Sequence, residues 1–322
     1  MEHCYHDTKG PPAWYKMKTR PKHLPQHKLA ALKSAVESIR AKHRVEMVIL
    51  FGSHARDDWV EDEYEEDYIT YEYRSDYDLL LVTADKKAEK RVAYDSSLKE
   101  SLEAAQGSPR FNYIVHTIHH INQMLAERRF FFMDILREGY LLYDSGRYRL
   151  VRPPKALPPV LMLKHASEYF EEWMDSADGF IDSAQYNQSK GRLKIAAFEM
   201  HQATERYITC MLLVYTGYRP KEHDLEKLLR QASGIEPCYA GLFPCDSDVE
   251  KRLFDLLRRA YVDARYSKNY RIDGNELDEL ASRIGELRKI SESLCLRKIE
   301  ALQLAAGGKE YSGGYQPCTI TY

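Results

Sequence analysis

The chain has no long apolar run and no marked excess of charge of either sign. Its 47 basic and 49 acidic side chains leave a formal net charge of −2, so no overall basic field favours nucleic acid or an anionic membrane. No apolar stretch is long enough to span a bilayer, and the polar start MEHCYHDTKG is not typical of a secretory signal. These absences predict a cytoplasmic protein that does not bind membranes.

Cysteine is scarce and scattered. The six cysteines lack the paired spacing of a zinc site. Isolated cysteines in a chain of this kind are typical of reduced thiols in the cytosol. They are Cys4, Cys210, Cys238, Cys245, Cys295 and Cys318.

The composition predicts two globular domains. Hydrophobic residues make up 44% of the 322 residues and charged residues 30%, an ordinary balance for folded proteins of this length. In the first half, helical and strand patterns alternate, which predicts an α/β domain over residues 1–150 with a mixed sheet. The predicted strands cover residues 45–51, 77–82, 111–117 and the segment EGYLLYDSG, and the predicted helices cover the stripe from Leu29 to Ile39, residues 97–105 and residues 124–136.

A change of composition follows. The segment RYRLVRPPKALPP carries four prolines, which remove backbone donors and predict a linker over residues 151–159. The apolar spacing beyond it predicts an all-α helical bundle over residues 160–305, and the Gly-rich residues 306–322 predict a flexible tail. The predicted helices cover residues 166–183, 194–216, 224–232, 248–266 and 275–302.

Polar groups follow two apolar strands of the first domain at one end of each. Gly52 and Ser53 come directly after the strand over residues 45–51, and Asp76 and Asp78 open the strand over residues 77–82. Residues two apart on a strand share a face, so the two carboxylates can share one cation such as Mg²⁺. Glycine lets a phosphate approach the backbone, and amides at a following helix start favour it. The pattern indicates nucleotide phosphate and metal binding.

Arg56 strengthens this interpretation because its forked cation suits phosphate oxygens. The structural alternative is a common Gly-Ser turn and solvated edge charge. Either fragment alone favours that alternative, whereas the two in this order, with Arg56 three positions after Ser53, favour a site for phosphoryl or nucleotidyl transfer.

FGSHAR followed by SDYDLLLV resembles the signature of polymerase-beta-type nucleotidyltransferases, in particular the minimal and aminoglycoside nucleotidyltransferases. This resemblance spans residues 29–143. In the second half, AAFEMHQATERYITCMLL, GYRPKEHDLEKLL and AYVDARYSKNYRI resemble the HEPN helical domain that accompanies such nucleotidyltransferases. The resemblance implies a nucleotidyltransferase fused to a HEPN domain.

The resemblance assigns roles to the residues singled out above. Gly52 and Ser53 would cradle the triphosphate of ATP, while Asp76 and Asp78 would bind Mg²⁺ as catalytic residues. The nucleotidyl group would pass to an acceptor hydroxyl on a small molecule, a protein or an RNA end. The family has a third carboxylate where this chain has Asn112, which leaves a single-metal enzyme, a slow enzyme and a nucleotide binder as alternatives. A second class is a regulatory module of the toxin–antitoxin type.

Two further segments border the motifs. Residues 57–67 contain eight acids in eleven positions, which predicts a solvated loop or, alternatively, a flap that supplies the missing acid through Glu65, Glu66 or Asp67. HTIHHINQ places three histidines near the end of the third strand, where one of them is expected to contact substrate and a zinc site is not favoured. These are His116, His119 and His120.

In the helical half, HEPN ribonucleases carry an arginine followed after four to six residues by a histidine. Here Arg265 is followed by Tyr270 instead, which argues against RNA cleavage by that route. Arg265, Tyr266 and Tyr270 are then either a packed corner of the bundle or the lining of a cleft. Other residues also match the HEPN pattern, and Asp224 is expected to start a helix. They are His201, Gln202, Glu205, His223 and Asp224.

The last prediction from the sequence concerns how copies of the chain assemble. HEPN-like helical domains bury one face against a copy of themselves, and twofold dimers are the commonest solution. The many apolar positions over residues 194–216 and 248–266 exceed what a thin bundle needs. We expect a homodimer with the helical domain at the interface.

Overall fold

The computed structural model describes residues 14–59, 61–66, 69–103 and 110–307. The chain divides into two compact units between Ala156 and Leu157. The described part of the first unit contains a four-stranded mixed sheet with helices, and that of the second is helical. At this coarse level the predicted order, a mixed α/β sheet domain and then a helical bundle, is confirmed.

The first unit is built from helices and strands that alternate along the chain. Their bounds are α1 Gln26–Lys42, β1 Met47–Phe51, α2 Ser53–Arg56, β2 Glu61–Glu66, β3 Ile69–Arg74, β4 Tyr77–Thr83, α3 Lys86–Ala93, α4 Ser96–Glu103, β5 Phe111–Thr117, α5 Ile118–Ala126, α6 Phe130–Glu138 and β6 Tyr140–Asp144.

The four-stranded sheet has the order β5-β4-β1-β6. β4 and β5 run parallel, while β1 is antiparallel to both β4 and β6. β1 and β4 lie in the centre, and their apolar residues pack on both faces of the sheet. Val48 and Leu50 join the cluster under α1 and α4, whereas Met47 and Ile49 join the cluster under α5 and α6. Each such buried side chain contributes about 1.5–3 kcal/mol.

Two predictions for the first unit need correction, and one helix has no counterpart among the predicted elements. The acidic segment is not a loop throughout, because the backbone of β2, which includes Glu65 and Glu66, pairs with β3 in an antiparallel ladder; Asp67 lies outside the described residues. The helix predicted over residues 124–136 is two helices, separated at Arg128 where φ is +54°. α3 was not predicted, since Val92 is its one buried residue.

The second unit is organised around three long helices. Its elements are α7 Pro159–Ser189, α8 Leu193–Thr216, α9 Leu225–Ser233, a 3₁₀ turn Pro237–Gly241, α10 Asp248–Arg259, α11 Asp263–Tyr266 and α12 Gly274–Ala305. The Asp178 carboxylate of α7 accepts a hydrogen bond from the Tyr207 hydroxyl of α8 at 2.5 Å. It also accepts two from the Arg288 guanidinium of α12, at 2.7 and 2.8 Å. The bidentate ion pair joins α7 to α12, and the hydrogen bond from Tyr207 joins α8 to the same carboxylate.

The structure corrects two helix bounds in the second unit. The helix predicted over residues 248–266 is interrupted between Arg259 and Asp263, which gives α10 and α11. α7 begins at Pro159, inside the predicted linker, because proline is tolerated in the first helical turn. Ser247 and Asp273 start α10 and α12 with capping boxes. In the described part of the chain, no helix has the length and apolarity needed to cross a membrane.

Candidate functional site

The sheet brings the two motifs of the first unit together. Phe51, the last residue of β1, pairs with Asp78 of β4, so Gly52 follows directly beside the Asp78 carboxylate. A Cβ on Gly52 would lie 2.1 Å from Asp78 Oδ2, and the φ of Gly52 is +76°. Both the close approach and the positive φ therefore require glycine here.

Asp76, Asp78 and Asn112 lie at the same edge of the sheet. Asn112 of β5 pairs with Asp78 across the parallel ladder, and its Nδ2 donates to Asp76 Oδ2 at 3.0 Å. Partial burial raises the pKa of Asp78, the Asn112 amide opposes this, and the nearby charge of Asp76 raises the pKa further. The raised pKa means that the protein around Asp78 stabilises its negative charge less well than water does. A bound cation would stabilise that charge.

These side chains fit a magnesium ion in part. Two carboxylates with close charges supply the oxygen ligands that Mg²⁺ prefers, and Mg²⁺ commonly binds one or two carboxylates and completes its shell with water and phosphate. Over the described ranges, no three His, Cys, Asp or Glu side chains are grouped as metal ligands. The third polar side chain at this edge is the Asn112 amide, which carries no charge.

Ser53 and Arg56 both belong to α2, which is a single helical turn. Its shortness removes most of the dipole that a longer helix would offer a phosphate. Arg56 Nε donates to Asp58 Oδ2 at 2.9 Å, and its Nη1 lies 3.9 Å from Glu138 Oε2. The Arg56 charge also lowers the pKa of Asp78. The guanidinium is therefore close to the aspartates but already engaged by two acids.

His54 is a site residue that the sequence analysis missed. It is 1% exposed, its Nδ1 donates to the Asp76 carbonyl at 3.2 Å, and its own carbonyl accepts from His23 Nε2 at 2.8 Å. Its ring stacks on Tyr77 with centroids 3.9 Å apart. His54 thereby holds the Gly-Ser turn against the segment that carries the aspartates. Its place directly after Gly52-Ser53 is the signal that could have identified it.

A buried lysine lies beside this assembly. Lys28 of α1 is 2% exposed, and its Nζ lies 4.1 Å from the Trp59 ring centroid and 5.7 Å from that of Tyr77. Cation–π attraction strengthens when the cation is desolvated. Lys28 belongs to the same neighbourhood, and no sequence pattern distinguishes it from the other lysines of α1.

The three histidines at the end of β5 and the start of α5 are His116, His119 and His120. His116 pairs with Val82 near the far end of β4, about 13 Å along the strand from Asn112 at ~3.3 Å per residue. Its Nδ1 lies 3.6 Å from Glu89 Oε1, and its ring is 4.8 Å from that of His120. Burial and then His120 lower its pKa. His119 is exposed. His116 is therefore not part of the edge that carries the aspartates, and the contact of one of these histidines with substrate stays a prediction.

Two cavities of the first unit lie away from the edge that carries Asp76 and Asp78. One of about 360 Å³ borders the opposite end of the sheet, with Arg44, Arg91 and Arg147 among its lining residues. The other borders α1 and β6. None of the candidate site residues lines either of these two cavities.

In the helical unit, Tyr270 is buried, whereas Arg265 and Tyr266 lie at the surface. Tyr270 is 1% exposed, and its hydroxyl donates to the Leu256 carbonyl at 2.9 Å; burial raises its pKa. This placement corresponds to the packed corner and not to the lining of a cleft. Arg265 donates to the Tyr261 carbonyl at 2.6 Å, and its guanidinium lies 4.9 Å from the ring of Tyr266, which is 72% exposed. Arg265 and Tyr266 therefore form an open surface.

Glu205 connects two histidines on the inner side of that surface. Its Oε2 lies 3.0 Å from His223 Nδ1 and 3.8 Å from His201 Nε2. His223 also stacks on Tyr261, with centroids 4.8 Å apart. The hydrogen bond to Glu205 raises the pKa of His223, whereas burial lowers the pKa of His201. Asp224 caps α9 by accepting from the Glu226 amide at 2.9 Å, where a helix start was expected.

Comparison with known proteins assigns part of the chain. Residues 170–294 match the HEPN domain family. The match begins in α7, ends in α12 and so includes His201, Glu205, His223, Arg265 and Tyr270; it does not extend to the first unit. No curated protein sequence matches the chain. The helical unit of this protein contains a HEPN domain.

Proposed function

We propose that the first unit transfers a nucleotidyl group from ATP, in the presence of Mg²⁺, to an acceptor hydroxyl. The observation that carries this proposal is the contact between Gly52 and Asp78, where a Cβ would lie 2.1 Å from the carboxylate. It joins the Gly-Ser motif and the Asp-x-Asp motif into one place on the sheet. Nucleotidyl transfer needs those two elements together, because the reaction depends mainly on positioning and charge neutralisation.

Each residue would contribute to that reaction through its own chemistry. Asp76 and Asp78 would hold the metal, which when bound supplies charge neutralisation at the phosphates. Gly52 would allow the phosphates to approach the backbone, and the Ser53 hydroxyl would donate to them. Arg56 would turn from Asp58 toward a phosphate, since a charged fork binds either oxyanion. The acceptor hydroxyl would belong to a small molecule, a protein or an RNA end.

A second candidate is a nucleotide-binding regulatory module of the toxin–antitoxin type, with little or no turnover. The Asn112 amide occupies one oxygen of Asp76 at 3.0 Å, and Arg56 is engaged by Asp58 and Glu138. Both features lower the charge available for the reaction while leaving nucleotide binding possible. The HEPN match fits this class as well.

RNA cleavage by the HEPN domain is the candidate with the least support. The position expected for an acid/base histidine after Arg265 is Tyr270, whose hydroxyl is buried against the Leu256 carbonyl. Strong cleavage of single-stranded RNA by the unmodified protein, abolished by Arg265→Ala, would overturn this assignment.

The proposed function is tested by titrating ATP and Mg²⁺ into the purified protein and measuring released pyrophosphate with candidate acceptors. Asp78→Asn should weaken Mg²⁺-dependent ATP binding by about 1–3 kcal/mol, the range for losing a charged partner. Asp175→Asn, an exposed acid of α7, is the matched control. Binding with pyrophosphate release supports transfer, and binding without it supports the regulatory module. Equal titration curves for wild type and Asp78→Asn would contradict both.

A further inference from the structure

Two arginines of the helical unit converge on one tryptophan. Trp173 of α7 is 8% exposed. The guanidinium carbon of Arg206, on α8, lies 5.2 Å from its ring centroid, and that of Arg219, in the segment after α8, lies 5.1 Å from it. Arg206 also lies 5.2 Å from the ring of Phe180, two turns further along the same face of α7. Both arginines are half-buried, and each lies within cation–π distance of the same indole ring.

Neither guanidinium is neutralised within the described residues. Other arginines of the unit pair with acids, as Arg288 does with Asp178 and Arg258 with Glu226, but no described carboxylate lies within ion-pair distance of Arg206 or Arg219. Glu205, the next residue to Arg206, is instead directed to His223 at 3.0 Å. Withdrawing a charge from water costs free energy, and an ion pair offsets that cost; neither arginine has this compensation within the described residues.

Unsatisfied donors accompany these charges. Arg206 Nε is buried without a hydrogen-bond partner, and so is Nε2 of Gln202, one helical turn earlier on the same face of α8. Buried donors are nearly always satisfied in folded proteins, and an exception calls for a water, an ion or a ligand. Arg219 also lies near enough to His223 for its charge to oppose protonation there. The unpaired positive charges and the unsatisfied donors therefore lie on α8 and on the segment that follows it, next to α7.

We propose that Arg206, Arg219 and Gln202 form a binding site for a phosphate monoester group. Two unpaired cations balance the two negative charges that such a group carries near neutral pH, and its three terminal oxygens can accept from two forks and one amide. A phosphate diester, with one charge and two free oxygens, satisfies fewer of these donors. This inference concerns the helical unit alone and does not depend on nucleotidyl transfer in the first unit.

Tryptophan fluorescence offers a direct test, because Trp173 lies beside both arginines and the chain has only two other tryptophans to replace. In the full-length Trp14→Phe/Trp59→Phe variant, Trp173 is the single reporter. Its emission should change saturably when inorganic phosphate or AMP is added at constant ionic strength, and an oligonucleotide bearing a 5′-phosphate should give the same response. Adenosine, dimethyl phosphate and the same oligonucleotide without its 5′-phosphate should give none. A response to AMP but not to the oligonucleotide identifies a small-molecule site, and a response to both identifies a terminal phosphate of either source.

Matched variants separate the site from general charge. Arg206→Gln and Arg219→Gln should each weaken phosphate binding about tenfold or more, as expected for losing a charged fork. Arg258→Gln should not, although Arg258 also lies over an aromatic ring, because Glu226 already pairs with it. Circular dichroism establishes that each variant folds, and Arg219→Gln, outside the helices, remains informative if Arg206→Gln does not fold. The proposal is overturned if ³¹P NMR and fluorescence show no saturable binding, if binding is unchanged in Arg219→Gln, or if the diester binds as well as the monoester.

Discussion

Asn112 donates its side-chain amide to Asp76 Oδ2 at 3.0 Å, on the edge of the sheet where Asp78 lies against Gly52. Asn112 and Asp78 are also partners in the parallel ladder. An amide at this position links the two aspartates without adding charge. The edge therefore carries two carboxylates and one uncharged amide.

Replacing the Asn112 amide by a carboxylate tests whether a cation binds at this edge. In Asn112→Asp, three carboxylates repel one another, so thermal stability should fall without Mg²⁺ and recover in its presence. Mg²⁺ affinity should increase by about 1–3 kcal/mol. Thermal unfolding with and without MgCl₂ measures both effects, and Asn112→Ala, which removes the amide but adds no charge, is the control. An equal Mg²⁺-dependent shift in wild type and Asn112→Asp would argue against a cation at this edge.

Gly52→Ala should destabilise the first unit. The backbone conformation of Gly52, with φ 76° and ψ −156°, costs other residues about 1–3 kcal/mol, and the added Cβ would also collide with Asp78 Oδ2. In Gly52→Ala/Asp78→Ala the backbone cost stays while the collision is removed. Chemical denaturation of the two single variants and the double variant gives the coupling energy. Strictly additive effects would show that the two residues do not meet.

His223 predicts a pH dependence in the helical unit. Its hydrogen bond to Glu205 raises its pKa in the folded protein. A histidine with a raised folded pKa stabilises the fold fully below its unfolded value of about 6.5, and this contribution is lost as pH rises through the folded pKa. NMR titration of the His223 ring should therefore give a pKa above that of a free histidine.

The control for that titration is Glu205→Gln, which keeps an acceptor but removes the charge, so the pKa of His223 should fall. His201 acts in the opposite direction, because burial lowers its pKa and its protonation destabilises the fold as pH falls. A titration resolved by residue is needed for this reason. An unchanged His223 pKa in Glu205→Gln would mean that the ion pair does not form in solution.

The acidic insert is expected to contribute to turnover if it supplies the missing charge. Since β2 pairs with β3, a Gly/Ser replacement of residues 57–67 would also remove a strand, so changing the acids of β2 to amides is the sharper test. Turnover should fall while ATP affinity holds. Neutralising five exposed acids of α7 and α12 controls for net charge, and unchanged turnover would make the insert irrelevant to the reaction. The changed residues are Glu61, Asp62, Glu63, Glu65 and Glu66, and the controls are Glu171, Glu172, Asp175, Asp182 and Glu286.

The homodimer inferred from the sequence remains to be tested. Exposed apolar side chains of the helical unit, such as Ile195 and Val262, offer positions where charge would oppose association. We expect light scattering to give a dimer at micromolar concentration and Ile195→Glu or Val262→Glu to shift it toward monomer. A wild-type monomer at that concentration would remove this prediction.

The strands could be predicted where burial leaves a continuous apolar run, as in β1 and β4. Their antiparallel pairing could not, because spacing along the chain carries no information on direction. α3 was missed since Val92 is its one buried side chain, and the break between α5 and α6 depends on a positive φ at Arg128 that no residue type signals.

The candidate site was also predictable only in part. The order of Gly52-Ser53 and Asp76-x-Asp78 along the chain was enough to suggest one site. The partners of its polar groups were not predictable, because Glu138 reaches Arg56 from α6 and His23 reaches His54 from before α1. Contacts between residues so far apart in sequence are set by tertiary packing, which a local pattern does not encode.

The pairing of Phe51 with Asp78 has a consequence for the chain between them. The insert starts and ends at one point of the sheet, so lengthening it raises only its closure entropy, by about 0.6 kcal/mol per doubling. The β2–β3 ladder is a local structure of the kind that forms within microseconds, and it shortens the free chain that must close before β1 finds β4. The insert can therefore vary in length during evolution or engineering while Gly52 keeps its place beside Asp78.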